Sequence, residues 1–184
     1  MRDPRFFALA LSLGLSVVST ATAQTSPCTP ETATAGGSED RLAAIRVVSD
    51  SIEEVMRKLG NPSGRIVLPG EEGRGQIQYQ WQQDGATLFV GTSYVTDASG
   101  SRAETIRTLQ IFAPVAKSKW KTGRGIGLGA ARKRVESSYG SNYQTTQENG
   151  QERLAYCFAG GSWLAFTMDG DGKVSRIHLE GPPE

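Results

Sequence analysis

The residues able to do acid–base, nucleophilic or metal chemistry are few: one histidine, His178, and two cysteines, Cys28 and Cys157. A hydrolytic triad needs a base, usually histidine, within reach of its nucleophile. His178 lies between Ile177 and Leu179 in a strand-like stretch. Alternation sends it to the face opposite those two, and an exposed strand histidine is expected. No serine occupies a nucleophile elbow and no Cys–His spacing stands out. One histidine and two distant cysteines do not make a zinc set. Asp169-Gly170-Asp171-Gly172 faintly resembles a calcium loop, but Lys173 stands where an oxygen ligand belongs, so a β-turn is expected. Gly123-Arg124-Gly125-Ile126-Gly127-Leu128-Gly129 resembles a phosphate-binding loop. No strand precedes it, and its glycines are expected to let the chain approach a sheet closely. These residues point to no catalytic group, no metal and no cofactor.

Binding is better represented. Lys117, Lys119, Lys121, Arg124, Arg132, Lys133 and Arg134 place seven bases within 18 residues, with no acid among them and Trp120 inside the run. They read as a solvated surface or as a site for an acidic protein, cell wall or anionic lipid. The strand aromatics Tyr79, Trp81, Phe89, Tyr94, Tyr156, Trp163 and Phe166 are mostly expected in a core. If one sheet face is uncovered, Tyr79, Trp81 and Trp163 would join Lys117, Lys119, Trp120, Lys121, Arg124, Arg132, Lys133 and Arg134 as partner-binding candidates.

The first residues locate the compartment. Met1 to Arg5 is basic, Phe6 to Val18 is an apolar run of 13 residues, and Ala21-Thr22-Ala23 is a small-residue cleavage site. That is the pattern of a secretory signal peptide, too short for a membrane span of about 20 residues. Cleavage after Ala23 leaves 161 of the 184 residues and a net charge of zero, since Arg2, Arg5 and Asp3 depart. A neutral chain gives no electrostatic case for nucleic acid. The residues before Cys28 do not form a lipidation box. Export to the periplasm or beyond favours a Cys28–Cys157 disulfide. The alternative is a buried Cys157 with a free Cys28.

Residues 24–37 read as a disordered lead-in, and 38–184 as one domain of two units, about 38–114 and 115–184. Ser38 to Arg46 is either a short helix or an extended approach. Asp50 with Glu53 forms a capping box for a helix whose Ile52, Val55, Met56 and Leu59 share one face, closed by Gly60 and Pro62. Strands are expected over 76–82, 87–95 and 105–114, with Asp84-Gly85 as a hairpin turn. A second helix, about Ala130 to Tyr139, ends at Gly140. Strands follow at 154–158, 163–168 and 174–179. Val55, Leu59 and Gly60 recur as Val135, Tyr139 and Gly140. The expected class is therefore α+β: a tandem repeat of helix plus three-stranded antiparallel unit, with the helices on one face of the sheet.

The stretch Gly125-Ile126-Gly127-Leu128-Gly129 through Val135, Tyr139 and Gly140 resembles the helical motif of the β-lactamase inhibitory proteins and of BamE-like (SmpA/OmlA) envelope domains. Val48 through Pro62 does so too. The resemblance implies helices against an antiparallel sheet and action by binding proteins, without enzymatic activity. Neither family's binding residues match positions of this chain. A protein partner in the envelope or outside the cell is the leading expectation; a structural envelope component held to wall or anionic lipid by residues 117–134 is the alternative. The non-reduced mass of the exported protein tests this reading: it should correspond to a chain beginning at Gln24 and lacking two hydrogens.

Overall fold

The structure, a computed structural model, describes Cys28, Ala35 and residues 37–113 and 118–183. A small hairpin of β1 (Arg41–Leu42) and β2 (Ile45–Arg46) leads to helix α1 (Ile52–Leu59). Then come β3 (Gly64–Pro69), β4 (Arg74–Gln83), β5 (Ala86–Thr96) and β6 (Arg102–Phe112). Helix α2 (Arg132–Tyr139) precedes β7 (Gln144–Glu148), β8 (Gln151–Cys157), β9 (Trp163–Met168) and β10 (Val174–Glu180). The eight longer strands make one antiparallel sheet in the order β3-β4-β5-β6-β10-β9-β8-β7.

This corrects the expected fold class. The protein is mostly β, not a tandem repeat of helix plus three-stranded unit with helices packed on one sheet face. Eight strands share one sheet, two form the small hairpin, and each helix has eight residues. A helix of about two turns is too short to form a layer over such a sheet. The strands missing from the sequence reading are the two edges. Every residue of β3 but Gly64 is exposed, and Gln144-Thr145-Thr146-Gln147-Glu148 in β7 has no apolar residue. Neither shows the alternation by which a half-buried strand is recognised.

The inner strands alternate as expected. Ile77, Tyr79 and Trp81 of β4 face Thr92, Val90 and Leu88 of β5, and these adjoin Ile106, Leu109 and Ile111 of β6. Across the β6–β10 pairing, Ile111 meets Ile177 and Leu109 meets Leu179. Phe166, Leu164, Leu154 and Tyr156 continue this face through β9 and β8. Ile52, Val55, Val135 and Tyr139 from the helices and Leu42 and Ile45 from the hairpin enter the same core.

Local chemistry sets the corners. Asp84 and Gly85 both have positive φ, 52° and 77°, the mirror-image turn that suits strand twist. The cap of α1 falls one residue later than expected: Ser51 Oγ accepts from Glu54 N–H at 3.2 Å, and Glu54 Oε2 accepts from Ser51 N–H at 3.0 Å. Asp50 instead accepts from Lys58 Nζ at 2.6 Å and from Arg46 N–H at 3.1 Å. Over 38–46 the chain turns as a hairpin at Ala43 and Ala44, both left-handed with φ 57° and 63°. The bond from Ala43 N–H to the Lys121 carbonyl, 2.9 Å, helps hold that turn.

Two devices fix the N-terminal segment. Cys28 and Cys157 form a disulfide spanning 129 positions, with Cα atoms 5.5 Å apart. Closing so long a loop is worth about 5 kcal/mol in the chain-entropy model. Further on, the buried Glu39 carboxylate accepts from Tyr139 Oη–H at 2.6 Å and from Arg41 N–H at 3.2 Å. Tyr139 Oη also lies 2.7 Å from Thr122 Oγ1. The phenol has one hydrogen, given to the carboxylate, so Thr122 donates in the second bond.

Burial, then the bond to Glu39, holds the Tyr139 phenol far above the ordinary tyrosine range, and burial raises Tyr156 likewise. The folded state then keeps protons that the unfolded chain releases above about pH 10. The stabilisation is complete below that pH and falls as pH rises beyond it. The urea midpoint should therefore drop on going from neutral pH to about pH 11. Tyr139→Phe should lower stability at neutral pH by about 1–3 kcal/mol, because a buried carboxylate loses a donor. It should also flatten the alkaline fall.

Candidate functional site

The two faces of the sheet are unequal. Gln76, Gln78 and Gln80 of β4 and Phe89 and Ser93 of β5 point away from the core, paired as Gln76 with Ser93 and Gln80 with Phe89. Thr108 and Gln110 of β6 and His178 and Glu180 of β10 follow in register on the same face. All of these residues are exposed or half-buried. Toward β8 and β9 the face closes, where Cys28 packs against buried Ala155, Trp163 and Ala165. Beside that closed end lies a depression of about 490 Å³, walled by Leu68, Phe89, Trp163 and Pro182 and by the polar groups of Gln76, Gln78, Gln110, Arg107 and Glu180.

Two backbone features shape its floor. The register between β5 and β6 shifts at Gly91/Thr92, so Thr92 pairs with Ile106 while Gly91 pairs with Thr108. That bulge leaves Arg107 without an opposite residue and re-aims it. Its guanidinium donates to the Pro182 carbonyl at 3.1 Å and to Ser93 Oγ at 3.4 Å. A side chain at Gly91 would come within 3.3 Å of Thr108 Cβ, so glycine there keeps the floor low.

The rim nearest β9 carries a polar chain. Glu148 Oε2 stands 3.8 Å from Arg153 Nη1, and Arg153 Nη2 stands 3.2 Å from His178 Nδ1. His178 Nε2 stands 3.2 Å from Glu180 Oε2, which also accepts from Thr108 Oγ1–H at 2.8 Å. A guanidinium only donates, so Nδ1 is the acceptor and the ring proton sits on Nε2, directed to Glu180. The Trp163 ring packs 4.5 Å from the imidazole and 4.7 Å from Arg153 Cζ, centre to centre for the rings. Burial pushes the Arg153 guanidinium down from its usual range, against the opposing pull of Glu148. His178 thus lies on the face its neighbours predict, but its side chain is only 12 % exposed because Arg153, Trp163 and Glu180 enclose it.

The other sequence candidates are dispersed. Tyr79 and Trp81 are buried on the core face, Trp120 is buried, and Trp163 alone reaches the depression, itself nearly covered. They form no exposed aromatic patch. Lys117 lies outside the described residues. Lys119 and Lys121 are exposed on the helix-bearing side. Arg124 covers the Tyr139 ring at 4.7 Å and donates to the Ser138 carbonyl at 3.0 Å. Arg132 pairs with Glu152, while Lys133 and Arg134 are exposed on α2. The basic run is therefore not one patch. Asp169 Oδ1 accepts from Asp171 N–H and Lys173 N–H at 3.0 and 2.9 Å, the hydrogen bonding of a turn. Among the described residues, no group of three His, Cys, Asp or Glu side chains could hold a metal ion. No helix there is long and apolar enough to cross a membrane.

What the sequence reading missed is edge strand β3. Ile66, Val67 and Leu68 are 56 %, 40 % and 51 % exposed, and Leu68 also lines the depression. The signal was present as three successive large apolar residues between Gly64 and Pro69.

No protein-family model and no curated protein matches the chain. Among solved structures it is similar to a DUF4309 family protein, YjgB, from Bacillus subtilis subsp. subtilis str. 168. The two share 14 % identity with a TM-score of 0.41, over 74 % of this chain and 81 % of that one.

The polar chain predicts a strong response to one substitution. Arg153→Met keeps the apolar stem but leaves His178 Nδ1 without its donor and removes one of the two guanidinium groups facing Glu148, the other being Arg176 at 3.4 Å. The loss of these bonds should reduce stability by about 1–3 kcal/mol, read from urea unfolding. His178→Asn should cost less, since an amide can replace one of the imidazole's two bonds.

Proposed function

We propose that the chain is an exported, non-enzymatic binding protein that receives an extended segment of another envelope or secreted protein along β3 and over the adjoining depression. One observation carries this reading: among the described residues β3 is a sheet edge with no strand on its outer side, and it exposes Ile66, Val67 and Leu68 there. Sheet edges ordinarily resist pairing through charge, bulges or cover. The opposite edge, β7, conforms, being wholly polar. The Ile66-Val67-Leu68 edge does not conform, and strand addition is the recognition mode that such an edge serves. The added strand's backbone would bond to β3. Its alternate side chains would fall toward Leu68, Gln76 and Gln78, where amides offer both donors and acceptors.

Three further points support the reading. The lone pair of His178 is engaged by Arg153, which leaves the imidazole no free acceptor for a nucleophile's proton. The leader-like N-terminus and the Cys28–Cys157 bond fit an oxidising compartment. The families whose turn-helix-glycine motif the chain resembles act by binding proteins.

Selection of peptides from a random display library on the full-length protein tests the proposal. Enriched peptides should alternate apolar residues and bind Ile66→Lys/Leu68→Lys at least about tenfold more weakly, a difference of about 1.4 kcal/mol. Both sites are exposed, so thermal unfolding of the variant should match that of the parent. Equal binding by parent and variant would remove β3 from the site.

A further inference from the structure

A second cavity, of about 570 Å³, opens on the helix-bearing side of the molecule, away from the β3 edge. Three distant segments build it: Arg41 from the β1–β2 hairpin, Lys58 and Leu59 from the end of α1, and Lys119, Trp120 and Lys121 from the chain before α2, with Trp81 of β4 also in its lining. The hairpin and the 119–122 segment are tied together by the bond from Ala43 N–H to the Lys121 carbonyl and by the Leu42–Thr122 bridge. The cations are thus brought together by backbone pairing of segments about 80 positions apart, as roughly as a sheet-like contact of any range fixes its neighbours.

The lining holds four basic side chains and no carboxylate. Lys58 is satisfied by Asp50 at 2.6 Å and by the Ala44 carbonyl at 3.3 Å. Arg41, Lys119 and Lys121 have no ion-pair partner among the described residues. Trp120 forms part of the wall and is 5 % exposed, and Trp81 donates its Nε1–H to the Gly60 carbonyl at 2.9 Å.

We infer that this cavity binds a phosphate-bearing ligand. Three cations without carboxylate partners match a group carrying up to two negative charges better than a single carboxylate, and lysine serves phosphate as a point charge. Leu59, Ala43 and Trp81 offer apolar surface to the body of the ligand. Of the described basic residues before α2, Lys119 and Lys121 take part and Arg124 does not. The site does not depend on the proposed β3 interaction, and substitutions at one leave the other untouched.

Tryptophan fluorescence of the full-length protein reads the site, because Trp81 and Trp120 both line it. Inorganic phosphate and vesicles of phosphatidylglycerol are the two probes, with acetate and phosphatidylcholine vesicles as controls at matched ionic strength. A saturable change with inorganic phosphate alone identifies a soluble phosphate ester as the ligand class. A change with phosphatidylglycerol that phosphate competes away identifies a lipid headgroup. In both cases Lys119→Gln/Lys121→Gln should weaken binding at least about tenfold, and added salt should weaken it further. Both lysines are exposed, so the double variant should fold as the parent does. No response to either probe, an equal response to acetate, or unchanged binding by the double variant would overturn the inference.

Discussion

Five residue pairs between β6 and β10, from Arg176 with Phe112 to Glu180 with Thr108, join the two halves of the sheet. Each half is a run of neighbouring strands that closes locally, β3 to β6 on one side and β7 to β10 on the other. Without this seam each half would end in a further open edge. With it, Ile111, Leu109, Ile177 and Leu179 become one buried band on the core face. On the other face the same pairs set Thr108 beside Glu180 and Gln110 beside His178. The hydrophobic face secures the register, because a slip by one residue would send every buried side chain to the opposite side. The polar face inherits that register. The chain from Thr108 through Glu180 and His178 to Arg153 exists because a core contact behind it is fixed.

The molecule is held at its N-terminal side by bonds of a different kind. The disulfide brings Cys28 onto the closed end of the open face, and Glu39 binds Tyr139 on the other side of the sheet. Ala35 donates its N–H to the Cys157 carbonyl at 3.2 Å. The hairpin that follows joins the 119–122 segment and so forms one wall of the basic cavity. One short stretch of chain thereby conditions both proposed binding regions. It closes one end of the depression and supplies Arg41 to the cavity.

Sequence alternation revealed β4, β5, β6 and β10, strands with one buried face, to within a few residues. It also revealed the Asp84-Gly85 turn and the glycine stops of both helices. It did not reveal β3 or β7, since an edge strand with no buried face carries no period-two signal. That omission turned four strands into three on each side, and it gave two short, well-marked helices more weight than their eight residues carry in the fold. At the candidate site, the outward placement of His178 and the glutamine face of β4 were legible from parity alone. The neighbours of His178 were not. Arg153 and Trp163 lie on two other strands, and only sheet register places them around the imidazole.

By itself the sequence determined the scarcity of reactive groups, the glycine stop of each helix and the inward or outward parity along each inner strand. These are local properties, set by composition, by neighbours three or four positions away and by alternation of two. Tertiary structure alone decided which outward residues meet. It spread the basic residues of 119–134 over separate surfaces, brought Lys119 and Lys121 to Arg41, and left Ile66, Val67 and Leu68 exposed among the described residues. The physical reason is that charge and exposure gain their meaning from residues far apart in sequence, and those become neighbours only when strand pairing and core packing fix a single register.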